Sequence, residues 1–458
     1  MARRYFGTDG VRGRVGTHPM TAEFALRLAG AAARVLSPSG GRVLVGKDTR
    51  LSGYMFESAL EAGFVAAGVD VLLAGPLPTP GIAYLVQRLE CDFGAVISAS
   101  HNPFDDNGIK FFDRSGAKLA DDLEEAIESH LDQPALTLES GALGRATRVD
   151  SERSLYESFC ASTLPTGTTL AGMKLVIDCA NGATYKVAPH VLSDLGADII
   201  PIGCSPNGRN INDGCGSTNP GLLKLTVSGV RADAGIALDG DGDRVVMVDH
   251  LGRSLDGDQL LYVLARARLA TGELKGPVVG TVMTNLGLEV ALAELGVPFL
   301  RAAVGDRNVL QLLRTHGGSL GGEASGHLLC LDKTTTGDGL IVALQVLSVM
   351  KATGKTLAEL GAGMQKFPQQ IINVQVARRF DAAADKTVAA AIAKVEQELG
   401  KRGRVVLRAS GTEPVIRVMV EGEDAQAVGR HAATLAEVVR AAAAARRSVA
   451  SRRGARPR

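Results

Sequence analysis

Absences narrow the field for this 458-residue sequence before any motif does. Its six cysteines (Cys91, Cys160, Cys179, Cys204, Cys215 and Cys330) are scattered with no CxxC pair. Neither a disulfide framework nor a thiol redox motif is expected, and the usage fits a reducing cytoplasm. No HExxH or other Cys/His spacing supports a zinc site. The formal net charge is only +1, which gives no electrostatic footprint for nucleic acid. No apolar run approaches the ~18 residues of a membrane helix. The opening MARRYFGTDG lacks the apolar core of roughly 7–15 residues that a secretory signal carries. The expectation is a cytoplasmic chain of more than one domain, with neither a membrane nor a nucleic acid as partner.

What is present begins with Ser98–Phe112, SASHNPFDDNGIKFF, which follows the apolar run Phe93–Ile97. That run reads as a buried strand, which places Ser100 at a strand's carboxyl end, where open α/β sheets deliver their active residues. His101 and Lys110 flank the serine, and Asn102-Pro103 and Asn107-Gly108 turn the chain around it. A serine so placed is a nucleophile or a phosphate carrier; the alternative is an ordinary Ser/Asn turn. A second segment, residues 234–248, reads AGIALDGDGDRVVMV: strand, acidic loop, strand. Glycines let Asp239, Asp241 and Asp243 converge, and three clustered carboxylates repel unless a hard cation neutralises them. An EF-hand needs Gly at the sixth loop position and an acid at the twelfth, where this chain has Arg244 and His250. Mg²⁺, which takes few carboxylates plus a phosphate oxygen, suits the loop better. Arg244 would then help hold that phosphate.

Two further loops fit phosphoryl transfer through a phosphoserine. Arg408–Pro414, RASGTEP, lies between the strand-like runs Val405–Leu407 and Val415–Val420, and offers a guanidinium, hydroxyls and glycine-exposed amides to a phosphate. Gly322–His327, GEASGH, follows an apparent strand around Gly318–Leu320 and presents a carboxylate, a hydroxyl and an imidazole suited to sugar hydroxyls. Either loop alone would also pass as a turn.

Taken in order, Phe6–Gly13 (FGTDGVRG), the serine segment, DGDGDR, GEASGH and RASGTEP resemble the α-D-phosphohexomutase superfamily, from about Arg4 to about Ala442. Ile177–Ala183, Asn210–Asn219, Asp256–Asp258 and Gly280–Gly287 are similar to its bacterial phosphoglucosamine mutase branch. The resemblance implies that Ser100 bears the phosphoryl group and that Asp239, Asp241 and Asp243, with a Ser100 phosphate oxygen, ligate Mg²⁺. It sets Lys110, Arg12 and His101 beside the transferring phosphate, with Lys110 or His101 as the base. Glu323 and Ser325 would grip sugar hydroxyls, with His327 in the same loop. Arg408, Ser410, Gly411 and Thr412, with Arg417 added, would bind the phosphate that is not reacting.

The implied reaction interconverts glucosamine 6-phosphate and 1-phosphate through a 1,6-bisphosphate that turns around in the site, supplying UDP-N-acetylglucosamine synthesis. The alternatives are a phosphomannomutase/phosphoglucomutase and, from another class, a non-catalytic binder of metal and sugar phosphate. The expected fold is α/β: three similar mixed α/β domains plus a smaller C-terminal α+β domain around a central active-site cleft. Expected bounds are 1–155, carrying the phosphoserine; 156–254, the metal loop; 255–368, the sugar loop; 369–445, the phosphate loop; and 446–458, a disordered basic tail. Sugar phosphate and bisphosphate are the expected small-molecule partners, and a homodimer the expected assembly.

Overall fold

The computed structural model describes residues 3–7, 9–376, 380–409 and 414–454. Two compact units divide the chain: Met1–Thr281 with Leu300–Gly363, and Val282–Phe299 with Met364–Arg458. The first unit opens with a six-stranded sheet of β1 (Val11–Arg14), β2 (Gly41–Lys47), β3 (Val69–Pro76), β4 (Phe93–Ile97), β5 (Asp106–Asp113) and β6 (Ala146–Arg148), in the order β1-β5-β4-β2-β3-β6. A five-stranded sheet follows, of β7 (Lys174–Asp178), β8 (Asp198–Ile202), β9 (Ala234–Leu238), β10 (Val245–Asp249) and β11 (Ser254–Leu255), ordered β11-β10-β9-β7-β8. A third sheet orders β12 (Val278–Thr281), β13 (Phe299–Ala302), β14 (Leu320–Gly322) and β15 (Leu328–Cys330) as β13-β12-β14-β15.

The three sheets share one device. A parallel pair (β2 with β4, β7 with β9, β12 with β14) is followed by an antiparallel return (β4 with β5, β9 with β10, β14 with β15). Every residue of β4, β9, β10, β14 and β15 is buried, as apolar runs of this length require. The turn of each return carries one of the polar segments singled out above. These loops therefore sit on buried strands, the arrangement that holds reacting groups in register.

Helix starts follow the capping rules. Asp256 and Gln259 form a capping box at the head of helix Gly257–Thr271, and Gly272 closes it with φ 73°. The strand expected around residues 318–320 begins only at Leu320, because Gly317, at φ 66°, is still ending helix Asp306–His316.

The second unit contains β16 (Gln369–Gln375), β17 (Gly403–Ala409) and β18 (Val415–Gly422) in the antiparallel order β16-β18-β17. Its core joins Val388 and Val395 to Ile416, Val418, Val420 and Leu435. The last helix runs Ala425–Gly454, past the expected end at residue 445, because its alanine-rich sequence is a strong helix former. The tail expected to be disordered is thus helical as far as Gly454, and residues 455–458 lie outside the described residues.

Candidate active site

Ser100 lies just past β4, buried, at a φ of 53°. That left-handed conformation is uncommon for a residue with a Cβ and clusters at functional sites. Its Oγ donates to Asp239 Oδ2 at 2.6 Å and lies 3.3 Å from His101 Nδ1. Its backbone is fully engaged: N donates to Ser98 Oγ at 2.9 Å, and O accepts from Arg50 and Asn212.

Asp239, Asp241 and Asp243 converge, with one carboxylate oxygen of each within 4.8 Å of the others. Gly242, at φ 76°, makes the turn, and a Cβ on Gly240 would lie 2.6 Å from the Ser100 carbonyl oxygen. All three carboxylates are buried. Burial and repulsion from Asp243 and Asp241 push the Asp239 carboxyl well above the ordinary carboxylate range. Burial acts in the same sense on Asp243, but His327, Lys110 and Arg244 outweigh it and hold that carboxyl well below its usual value. Asp241 Oδ1 and Asp243 Oδ1 are buried without a hydrogen-bond partner among the described residues. Orphaned carboxylate oxygens inside a repelling cluster fit a divalent cation, which would satisfy both and relieve the repulsion.

A second layer fixes this loop. Asp241 Oδ2 accepts from Lys110 Nζ at 2.8 Å and from Thr79 Oγ1 at 2.8 Å. Lys110, buried on β5, also meets Asp9 at 2.9 Å; burial would lower its pKa, but Asp241 and Asp9 raise it, so the ammonium stays charged. Asp9 pairs with Arg12 and lies 2.5 Å from Lys118 Nζ, which reaches Asp306 at 2.5 Å. His101 moves the other way. Burial, then the Arg244 and Arg12 guanidinium charges, lower it to about 4, so its ring is neutral near pH 7.

The third hairpin divides in two. Ser325 is exposed at its tip and Glu323 is half-buried, accepting from Gly305 N at 3.0 Å. His327 is buried, with Nδ1 3.5 Å from Asp243 and Nε2 3.4 Å from Asp306, which ties the sugar-type loop to the metal-type loop. In the second unit Arg408 and Arg417 stand directly opposite one another on β17 and β18. Like charges so placed repel, and neither guanidinium has a carboxylate partner among the described residues. Ser410, Gly411 and Thr412 lie outside the described residues.

Sequence reasoning missed Thr79, Asp9, Lys118, Asp306, Arg50 and Asn212. Asp9 lies inside the Phe6–Gly13 segment, where alternating glycines were the available signal. Lys118 and Thr79 carry no local signal at all.

Comparison with known proteins is consistent along the whole chain. Residues 3–137, 157–252 and 256–367 match the phosphoglucomutase/phosphomannomutase alpha/beta/alpha domains I, II and III, and residues 371–438 match the C-terminal domain of the same family. A phosphoglucosamine mutase of Thiobacillus denitrificans is 57% identical over 453 residues, 97% of this chain and 99% of that protein. The chain belongs to the phosphoglucosamine mutase family. The expected fold, three α/β domains and a C-terminal one, is the fold of that family. A phosphoglucomutase/phosphomannomutase family protein of Burkholderia thailandensis shares the fold with a TM-score of 0.78 at 24% identity, covering 95% of this chain and 97% of its own. So does an Aspergillus fumigatus N-acetylphosphoglucosamine mutase, solved with GlcNAc-6P and magnesium, with a TM-score of 0.68 at 19% identity and 96% of each chain covered. Among the described residues no helix is long and apolar enough to cross a membrane.

Proposed function

We propose that this chain interconverts glucosamine 6-phosphate and glucosamine 1-phosphate in the cytoplasm, with Ser100 as phosphoryl carrier. The observation that carries the reading is the Ser100 hydroxyl, 2.6 Å from Asp239 inside a carboxylate cluster with two unsatisfied buried oxygens. Asp239, Asp241 and Asp243 suit Mg²⁺, which would neutralise charge on the phosphoryl group in flight.

Phosphoserine gives its phosphoryl to the free hydroxyl of the bound sugar phosphate. The Ser100 Oγ–P bond breaks, the sugar O–P bond forms, the proton of that hydroxyl passes to a base, and the departing Ser100 Oγ takes up a proton to become a hydroxyl again. Lys110 is the weaker candidate base, because its carboxylate neighbours keep it protonated. It serves instead as fixed positive charge beside the phosphoryl. His101, neutral and 3.3 Å from Ser100 Oγ, is the better acceptor, and a phosphate dianion beside it would raise its basicity. Arg12 and Arg244 complete the charge around the phosphoryl, and Glu323 and Ser325 would orient the sugar. The resulting 1,6-bisphosphate turns around and returns its other phosphoryl to Ser100. The opposed Arg408 and Arg417, with Ser410, Gly411 and Thr412, are suited to hold whichever phosphate is not reacting.

The test compares kcat/KM for glucosamine, glucose and mannose phosphates, with Mg²⁺ and a trace of glucose 1,6-bisphosphate. Preference for glucosamine phosphate is expected, and its product would enter nucleotide-sugar synthesis. Preference for either of the others would keep the mechanism and assign the chain the phosphomannomutase/phosphoglucomutase activity.

A further inference from the structure

The Asn210–Asn219 stretch takes no part in the chemistry above, yet Asn212 reaches the nucleophile's own backbone. Its Nδ2 donates to the carbonyl of Ser100 at 2.9 Å and to that of Asn102 at 3.0 Å. Arg50, from the turn after β2, binds the same two carbonyls through Nη2, at 3.2 Å and 2.6 Å. One donor comes from the first sheet's domain and the other from the second's.

We propose that Arg50 and Asn212 are positioning residues that clamp the Ser100 and Asn102 carbonyls and so hold the Ser100 hydroxyl against the metal-binding carboxylates. The inference rests on Ser100 being the phosphoryl carrier. A single donor per carbonyl would satisfy the folding requirement of a buried loop. Here each carbonyl receives the same two donors, a redundancy that fixes direction as well as occupancy. Direction matters because Ser100 holds a left-handed φ that its Cβ disfavours. Relaxing to the right-handed region would swing Oγ away from Asp239.

Both donors are themselves pinned. Arg50 is wholly buried and paired to Asp48, whose Oδ2 also accepts from Ser98 Oγ at 2.6 Å; Ser98 Oγ in turn accepts from Ser100 N. The register Lys47↔Ile97 between β2 and β4 brings these two strand ends together. Asn212 adopts φ 59° and donates its own N to Ala180 O at 2.9 Å. The metal loop closes on the clamp, since a Cβ at Gly240 would stand 2.8 Å from Asn212 Nδ2. The serine is therefore aligned on the metal loop by a residue of the metal loop's own domain.

The test uses the full chain carrying N212A or R50K, with three readouts. These are the single-turnover rate of phosphoryl transfer from phosphorylated Ser100 to glucosamine 1-phosphate, KM, and Tm. The transfer rate should fall about 10-fold in N212A and about 100-fold in R50K, the scale of a misplacement of about an ångström. KM should stay within about twofold, because neither residue faces the sugar. N212A should melt below the wild type, because alanine tolerates φ 59° less well than asparagine and two hydrogen bonds are lost, but it should stay folded at the assay temperature, so it decides the matter even if R50K fails to fold. A transfer rate in N212A within twofold of wild type would overturn the clamp, as would a loss carried wholly by KM or by the folded fraction. Wild-type protein that turns over while its Ser100 never carries phosphate would instead overturn the parent reading, and the clamp with it.

Discussion

The loops Ser98–Asp105, between β4 and β5, and Asp239–Arg244, between β9 and β10, join antiparallel neighbours in the same way but store unfavourable energy in different places. In the serine loop the polar groups of Ser100 are satisfied, and the strain is conformational, a serine at φ 53°. In the metal loop Gly242 takes the left-handed position without cost from a Cβ, and the strain is electrostatic: three buried carboxylates, one pushed well above its ordinary pKa and two with orphaned oxygens. The first kind of strain survives any change of ligand, because hydrogen bonds from the fold hold it. The second vanishes when a cation arrives. One loop is aimed by the protein and the other is completed by its ligand.

The largest effect should come from Ser100→Ala. Isomerisation should fall by about 10⁴-fold or more, as expected when a covalent carrier is lost. Calorimetric titration should show Mg²⁺ binding largely retained, since all three aspartates remain. A chain whose turnover survived the change would not use Ser100 at all.

Next in size is Asp239→Asn, which separates the two kinds of strain. Removing one charge from a repelling cluster should raise Tm in EDTA while weakening Mg²⁺ by at least about 10-fold, the range seen when even outer partners of a metal are changed. The wild type should show the converse, gaining about 2.7 kcal/mol of stability at Mg²⁺ a hundred-fold above its Kd. A variant less stable than wild type in EDTA would mean the cluster is not frustrated.

How far the sequence foretold these loops follows from the same contrast. Apolar runs such as Phe93–Ile97 and Ala234–Leu238 became fully buried strands because burial on both faces leaves few other conformations. The aspartates were legible because glycine spacing and like charge are local properties of DGDGD. The Ser100 segment was legible as a turn, but its left-handed backbone was not, since that depends on Arg50 and Asn212, 50 and 112 residues away. Thr79 and Lys118 enter the site only through long-range contacts with Asp241 and Asp9, and Asp306 through Lys118 and His327. Chain order alone places no such pairs together.

The hairpin of the second unit, between β17 and β18, extends the comparison to charge of the opposite sign. Arg408 and Arg417 face each other across the strands, so Arg417→Ala should relieve a cross-strand repulsion and raise stability by up to about 1 kcal/mol. It should also raise KM for the sugar phosphate about 10-fold, which converts to about 1.4 kcal/mol of binding. Unchanged KM would remove Arg417 from the phosphate clamp.

The smallest effect on turnover, none at neutral pH, is expected for Asp338→Asn, which probes what braces the metal loop. Asp338 caps helix Gly339–Thr353, accepts from Tyr156 Oη at 2.7 Å, and precedes Gly339, whose N donates to Gly242 O at 3.0 Å. Burial, only partly offset by the hydrogen bonds it accepts, raises its carboxyl to about 6. An acid raised on folding favours the protonated folded state. Its contribution is therefore present in full below the unfolded value near 4 and is lost as pH climbs through about 6. The wild type should lose up to about 3 kcal/mol relative to the asparagine variant across that window and nothing further above it. Asparagine can still accept from Ile341 N through its Oδ1, while its Nδ2 can donate to the Tyr156 hydroxyl oxygen, so the variant should fold with its cap intact. Chemical denaturation of both proteins in EDTA from pH 4 to 8 isolates the difference, because the two chains are otherwise identical. A constant difference over the whole range would show that Asp338 is ionised at no cost, and that the metal loop's brace carries no electrostatic strain of its own.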